Sequence, residues 1–149
     1  MFLIGHGAVG ALLATRLTEN PVAAFGIGWL SHYLVDFFPH GDESLGAWAK
    51  KKHEILRLFF LFAIDGALLL STLFWIFYRQ GFSWVILAGA AGSIVPDVMW
   101  GLEKLFHKKI FGRADVFHNR NHNFFHISMP LWVGLVGQAI VTVAVWGMV

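Results

Sequence analysis

Five apolar runs, at about 2–17, 21–38, 55–78, 82–106 and 124–148, constrain the fold of this chain more than any other feature. About 20 consecutive apolar residues cross the hydrocarbon layer of a bilayer as a helix. Between the runs lie two tight polar turns, at 18–20 and 79–81, and two basic loops, at 39–54 and 107–121. Hydrophobic residues make up 57% of the chain and charged residues 13%, too apolar a balance for an ordinary soluble domain. The expected fold is an all-α polytopic membrane bundle of about five transmembrane helices, forming one integral membrane domain over residues 1–149.

The runs differ in quality. The first is short, and Gly5, Gly7 and Gly10 lower its helix propensity in water while allowing close helix approach in a bundle. Asn20 is placed to cap the second helix, with Pro21 in its first turn. The third run is bounded by Arg57 and Arg79, with Trp75 and Tyr78 as interfacial anchors. Asp65 lies inside it, where an unpaired carboxylate is costly; it reads as a ligand, a partner of a metal-bound His, or a neutral acid. The fourth run carries the small-residue surface Ala88-Gly89-Ala90-Ala91-Gly92-Ser93, then Pro96-Asp97, where a kink beside a carboxylate is expected. In the fifth, Pro130 predicts a bend.

Alternating spans put nine Lys and Arg residues (Lys50, Lys51, Lys52, Arg57, Lys104, Lys108, Lys109, Arg113, Arg120) on the N-terminal side and two, Arg16 and Arg79, on the other. The positive-inside rule then makes the N-terminus cytoplasmic. All eight His fall on or toward that same side, as do Asp36, Asp42, Asp97 and Asp115. His32 and Asp36 are four apart, on one helical face, and Pro39 then stops the helix ahead of His40 and Asp42. His118, His122 and His126 repeat the spacing of four and line one face if that segment is helical.

Imidazoles and carboxylates gathered at one end of a bundle point to metal binding. The candidate ligands are His6, His32, Asp36, Asp97, His118, His122 and His126, with His40 and Asp42 secondary. Seven exceed one tetrahedral site, so either two metals bind or some of these residues support or catalyse. With no Cys, the set suits a divalent metal: zinc first, manganese or iron as alternatives. Asp36 or Asp42 is the candidate proton acceptor, and Arg120 the candidate to neutralise a phosphate. The chemistry expected is metal-assisted hydrolysis of a lipid headgroup or lipid-linked phosphoester at the cytoplasmic interface. The competing reading is transport or binding of protons or a divalent metal by the same cluster, with Asp65 as a relay. Membrane lipids are the expected surroundings. No nucleic-acid-binding signature or cleavable signal peptide is apparent.

The stretch Gly28-Trp29-Leu30-Ser31-His32-Tyr33-Leu34-Val35-Asp36 resembles the glycine–Ser-His–Asp helix of the membrane-bound metal-dependent hydrolase family of bacteria and archaea. Gly92-Ser93-Ile94-Val95-Pro96-Asp97 is similar to that family's small-residue–Pro-Asp element. The His118–Arg120–His122 region looks like its His-Arg and Thr-His-Ser element, and His6 like its early His before a glycine. The resemblance implies a helical protein of the prokaryotic cytoplasmic (inner) membrane with metal ligands at His6, His32, Asp36, Asp97 and His122. The chain departs from the pattern where Pro-Asp-x-Asp is Pro96-Asp97-Val98-Met99, where Thr-His-Ser is Asn121-His122-Asn123, and in the order of the elements. The His32–Asp36 spacing is also similar to the His–x–x–x–Asp element of zinc-dependent phospholipase C, which implies phosphoester hydrolysis.

Overall fold

The apolar runs fold as helices, and among the described residues there is no strand. The structure, a computed structural model, describes residues 2–38, 54–122, 124–125 and 129–149, with the backbone alone at 54, 58, 104, 115 and 122. Its helices are α1 (Leu3–Leu17), α2 (Pro21–Asp36), α3 (Glu54–Gln80), α4 (Trp84–Phe106), α5 (Arg113–His122) and α6 (Leu131–Met148). Three segments are long and apolar enough to cross a membrane: Ile55–Gln80, Trp84–Glu103 and Leu131–Met148. The chain is therefore a helical membrane protein. α1 is a shorter apolar helix.

Local chemistry sets the helix ends. The Asn20 side chain accepts the Val22 and Ala23 N–H groups at 2.8 and 3.3 Å, and Pro21 occupies the first turn. α3 ends at Gly81, whose φ of +82° closes the helix without a Cβ penalty. Pro96 lies inside α4, and the helix runs through it. Pro130 does not bend a helix begun near 124. α6 starts after it, at Leu131, because a ring-locked φ of −59° and a missing N–H suit a helix start. The loop expected at 107–121 instead contains the ten-residue α5.

α1 occupies the middle and touches α2, α3, α4 and α6. Paired contacts give the directions. Asp65 and Leu69 of α3 meet Leu3 and Gly7 of α1, so these two helices run parallel. Gln138 and Met148 of α6 meet Phe2 and Arg16, so α6 runs with them. α4 runs with α2, Gly28 against Gly89 and His32 against Ser93. α1, α3 and α6 thus point one way, α2 and α4 the other.

The small residues let α4 lie directly on two neighbours. A Cβ on Gly28 would overlap the Gly89 carbonyl, and one on Gly92 would overlap the Phe25 carbonyl. Against α1, a Cβ on Gly10 would sit 2.6 Å from both the Gly89 carbonyl and the Ser93 side chain. Backbone cannot yield as a side chain tip can, so the glycines fix the spacing of α1, α2 and α4. Around α1, Leu3, Ile4, Ala8 and Ala11 form the apolar core with Leu69, Leu73 and Ile76 of α3, Ile86 and Ala90 of α4 and Val145 of α6.

The start of α1 is held by other helices. Phe2, at its N-cap position, offers no capping side chain. Asp65 accepts the Leu3 and Ile4 N–H groups at 2.5 and 3.1 Å, and Gln138 accepts that of Phe2 at 2.8 Å. Carboxylate oxygens satisfy orphan donors and complement the positive end of the helix dipole. Asp65 therefore caps a neighbouring helix, a role outside the three expected of it.

Candidate metal centre

The α1–α2 hairpin turns at Glu19, and His6 and His32 lie the same number of residues before and after it. Antiparallel packing brings their rings together, stacked at 4.1 Å between centroids and 28° between planes. One turn after His32, at the end of α2, Asp36 points to the same place. Its Oδ2 is 3.0 Å from His32 Nε2, and its Oδ1 is 3.0 Å from His6 Nε2. α4, held against both helices, contributes Asp97. The fifth side chain is His118 of α5, whose Nε2 lies 3.3 Å from Asp36 Oδ2 and 3.4 Å from Asp97 Oδ1.

α5 has its own fastenings. Asn121 Nδ2 donates to the Tyr33 carbonyl at 2.8 Å, and the Phe117 and Tyr33 rings meet edge to face at 5.0 Å. Buried Glu103 accepts the Phe111 N–H at 2.7 Å and folds the preceding loop back onto α4. That loop turns at His107 and Gly112, both with positive φ.

His32 determines what the cluster is. Its Nδ1 lies 2.8 Å from the Ser93 carbonyl, which can only accept, so Nδ1 carries the proton. Nε2 then faces Asp36 Oδ2 at 3.0 Å and Asp97 Oδ1 at 4.0 Å, with no hydrogen bond of acceptable geometry to either. A buried ring nitrogen set among carboxylate oxygens without a hydrogen bond is what a cation held between them would satisfy. A ring N–H on a backbone carbonyl is also the usual orienting bond of a metal-ligating His. One ligand atom each from His32, Asp36, Asp97 and His118 lies within 4.8 Å of all the others. Zinc bonds of ~2.0–2.1 Å place tetrahedral ligands roughly 3.3 Å apart. The contacts of 3.0, 3.3, 3.4 and 4.0 Å among these four bracket that spacing. The four residues could therefore hold a metal ion.

His6, His32 and Asp36 are fully enclosed, while the Asp97 side chain keeps 17% of its surface, which sets the open side. A cleft bordered by Tyr33, Pro96, Trp100, Phe111 and His118 leads to the cluster between α2, α4 and α5. Burial opposes charge on His118, but its hydrogen bonds and attraction to Asp36 and Asp97 outweigh burial and push the imidazole up to about 9.

Of the seven ligands named from sequence, the structure brings together His6, His32, Asp36, Asp97 and His118. The backbone of His122 lies one turn beyond His118 on α5, but its side chain is outside the described residues. His126, His40 and Asp42 also lie outside them. Arg120 is exposed on α5, two residues and so roughly 200° around the helix from buried His118, and is not brought to the cluster. The Ser93 carbonyl, Glu103 and Asn121 were not legible as supports: a carbonyl has no residue signature, and the other two read as loop polarity. No family profile, curated protein or solved structure matches the chain.

Proposed function

We propose that this chain is a membrane-embedded, metal-dependent hydrolase of a phosphoester, a lipid headgroup or lipid-linked substrate, at the cytoplasmic face of a prokaryotic inner membrane. The observation that carries the reading is His32, held through Nδ1 on the Ser93 carbonyl with Nε2 turned onto two carboxylates, and His118 completing a four-donor set drawn from α2, α4 and α5. A thiolate-free His/Asp set suits zinc, with manganese or iron as alternatives. A divalent metal there supplies hydroxide at neutral pH and polarises a phosphoryl oxygen. Ser93 fixes the His32 ring, α5 closes the site, and the 17% exposed face of Asp97 meets the substrate from the cleft.

The placement in the bilayer belongs to the same proposal. α1, α2, α3, α4 and α6 make five crossings, with the start of α1 cytoplasmic. The alternating helix directions support this, as do the nine basic residues at one end. Asp97 then lies six residues inside Glu103, the end of the α4 span, or about 9 Å from that end. At that depth a headgroup phosphoester reaches the site more readily than an acyl chain does. Lys108, Lys109 and Arg113 would draw anionic headgroups toward it. Transport is less well supported, because the mid-depth carboxylate a relay would use, Asp65, is engaged on the N–H groups of α1.

The test is elemental analysis of purified wild type and His32→Ala, with turnover of phospholipid and simple phosphoesters assayed on the same samples. Bound zinc with turnover in wild type, both lowered in the variant, is the expected result. Bound metal without turnover on any phosphoester would overturn the hydrolase reading, and absence of metal would overturn the site.

A further inference from the structure

The two carboxylates of the cluster each divide their oxygens between two sides. Asp36 turns Oδ2 to His32 and His118, at 3.0 and 3.3 Å, and Oδ1 to His6, at 3.0 Å. Asp97 turns Oδ1 to His118 and His32, at 3.4 and 4.0 Å, and Oδ2 to His6, at 3.8 Å. His6 is not needed for the four-donor set, yet it is one of the most completely buried side chains described. Neither of its ring nitrogens makes a hydrogen bond of acceptable geometry. A buried imidazole without hydrogen-bond partners on its nitrogens is costly, and its nearest polar atom is Asp36 Oδ1 at 3.0 Å from Nε2. The ring is directed at the pair of oxygens that His32 and His118 leave over.

We propose that His6 Nε2, Asp36 Oδ1 and Asp97 Oδ2 form a second divalent-metal position, so that both carboxylates bridge a two-metal centre. This rests on the four-donor set being a metal site, and it assigns the two positions different work. The first has four protein donors, and the water it activates would enter as a fifth ligand. The second has three, the partly exposed Asp97 among them, and leaves coordination open for a substrate oxygen. Two divalent ions against two carboxylates and three neutral imidazoles leave a local charge of about +2. That excess selects an anionic substrate and fits a phosphate ester better than a neutral ester or amide. Bridging carboxylates hold two such ions roughly 3.5–4 Å apart, the spacing that clamps attacking and leaving oxygens in phosphoryl hydrolysis.

The number of ions per chain decides the matter. Purified protein is stripped with chelator, reloaded with zinc and counted by mass spectrometry. Parallel samples are loaded with Mn²⁺ for electron paramagnetic resonance. Wild type is expected to hold two zinc ions per chain and to give an exchange-coupled manganese spectrum. His6→Gln should hold one zinc and give an uncoupled six-line signal, its retained ion showing that the variant folds. One ion per chain and an uncoupled signal in wild type would overturn the second position and leave the first standing. No bound ion in wild type would overturn both. If His6→Gln fails to fold, the count and coupling in wild type still decide.

Discussion

At the residue scale the most informative group is His118, the cluster member on α5, which lies outside the five proposed crossings. Two carboxylates push its imidazole up from the ordinary 6.5 to about 9, in spite of burial. A pKa raised on folding contributes stability that is fully present below about 6.5 and is lost as pH rises through about 9. In chelator-stripped protein, α5 should therefore be held best at acid and neutral pH and loosen toward pH 9, read as rising amide exchange over residues 113–122. Metal binding should run the opposite way. The ion must displace that proton, so apparent affinity should rise by up to about tenfold per pH unit between 6.5 and 9. An affinity flat across this range would remove His118 from the ligand set. Sequence alone offered three histidines at one spacing and could not choose among them. That His118 reaches the cluster depends on where α5 begins and how Asn121 and Phe117 seat it against Tyr33.

At the scale of elements, helix periodicity and composition were sufficient where the relevant partner is near in sequence. The His32–Asp36 pair needs only a helix, and the meeting of His6 with His32 needs only a hairpin of equal arms. The small-residue run of α4 was legible as a packing surface. That it serves α1 and α2 at once was not, because which helices flank it is a property of the whole bundle. Asp65 shows the same limit more sharply. An intramembrane carboxylate reads as functional, yet here it completes the start of another helix, 62 residues away for its bond to Leu3. Replacing Asp65 with Ala should leave two backbone N–H groups unpaired in an apolar interior and cost about 2 kcal/mol. Thermal unfolding in detergent measures this, and metal content at saturating zinc should be unchanged. Loss of bound metal with unaltered stability would place Asp65 in the site instead.

At the scale of the whole molecule, the alternation of helix directions and the one-sided basic charge make a topology that can be tested directly. The chain has no Cys, so single introduced thiols report without background. Glu19→Cys, at the exposed hairpin tip, should react with an impermeant maleimide added to intact cells, and Lys109→Cys only after permeabilisation. The reverse pattern would invert the proposed orientation. The central place of α1 also bears on how the protein is made. This helix leaves the ribosome before α3, α4, α5 and α6, yet the groups that answer its first N–H donors, on Asp65 and Gln138, and Asp97, the second carboxylate near its histidine, are synthesised later. In the proposed topology the hairpin therefore stays unfinished while its partners are inserted around it. Assembly then runs from the centre outward, and the surroundings of the earliest-made segment are complete only when the last helix arrives.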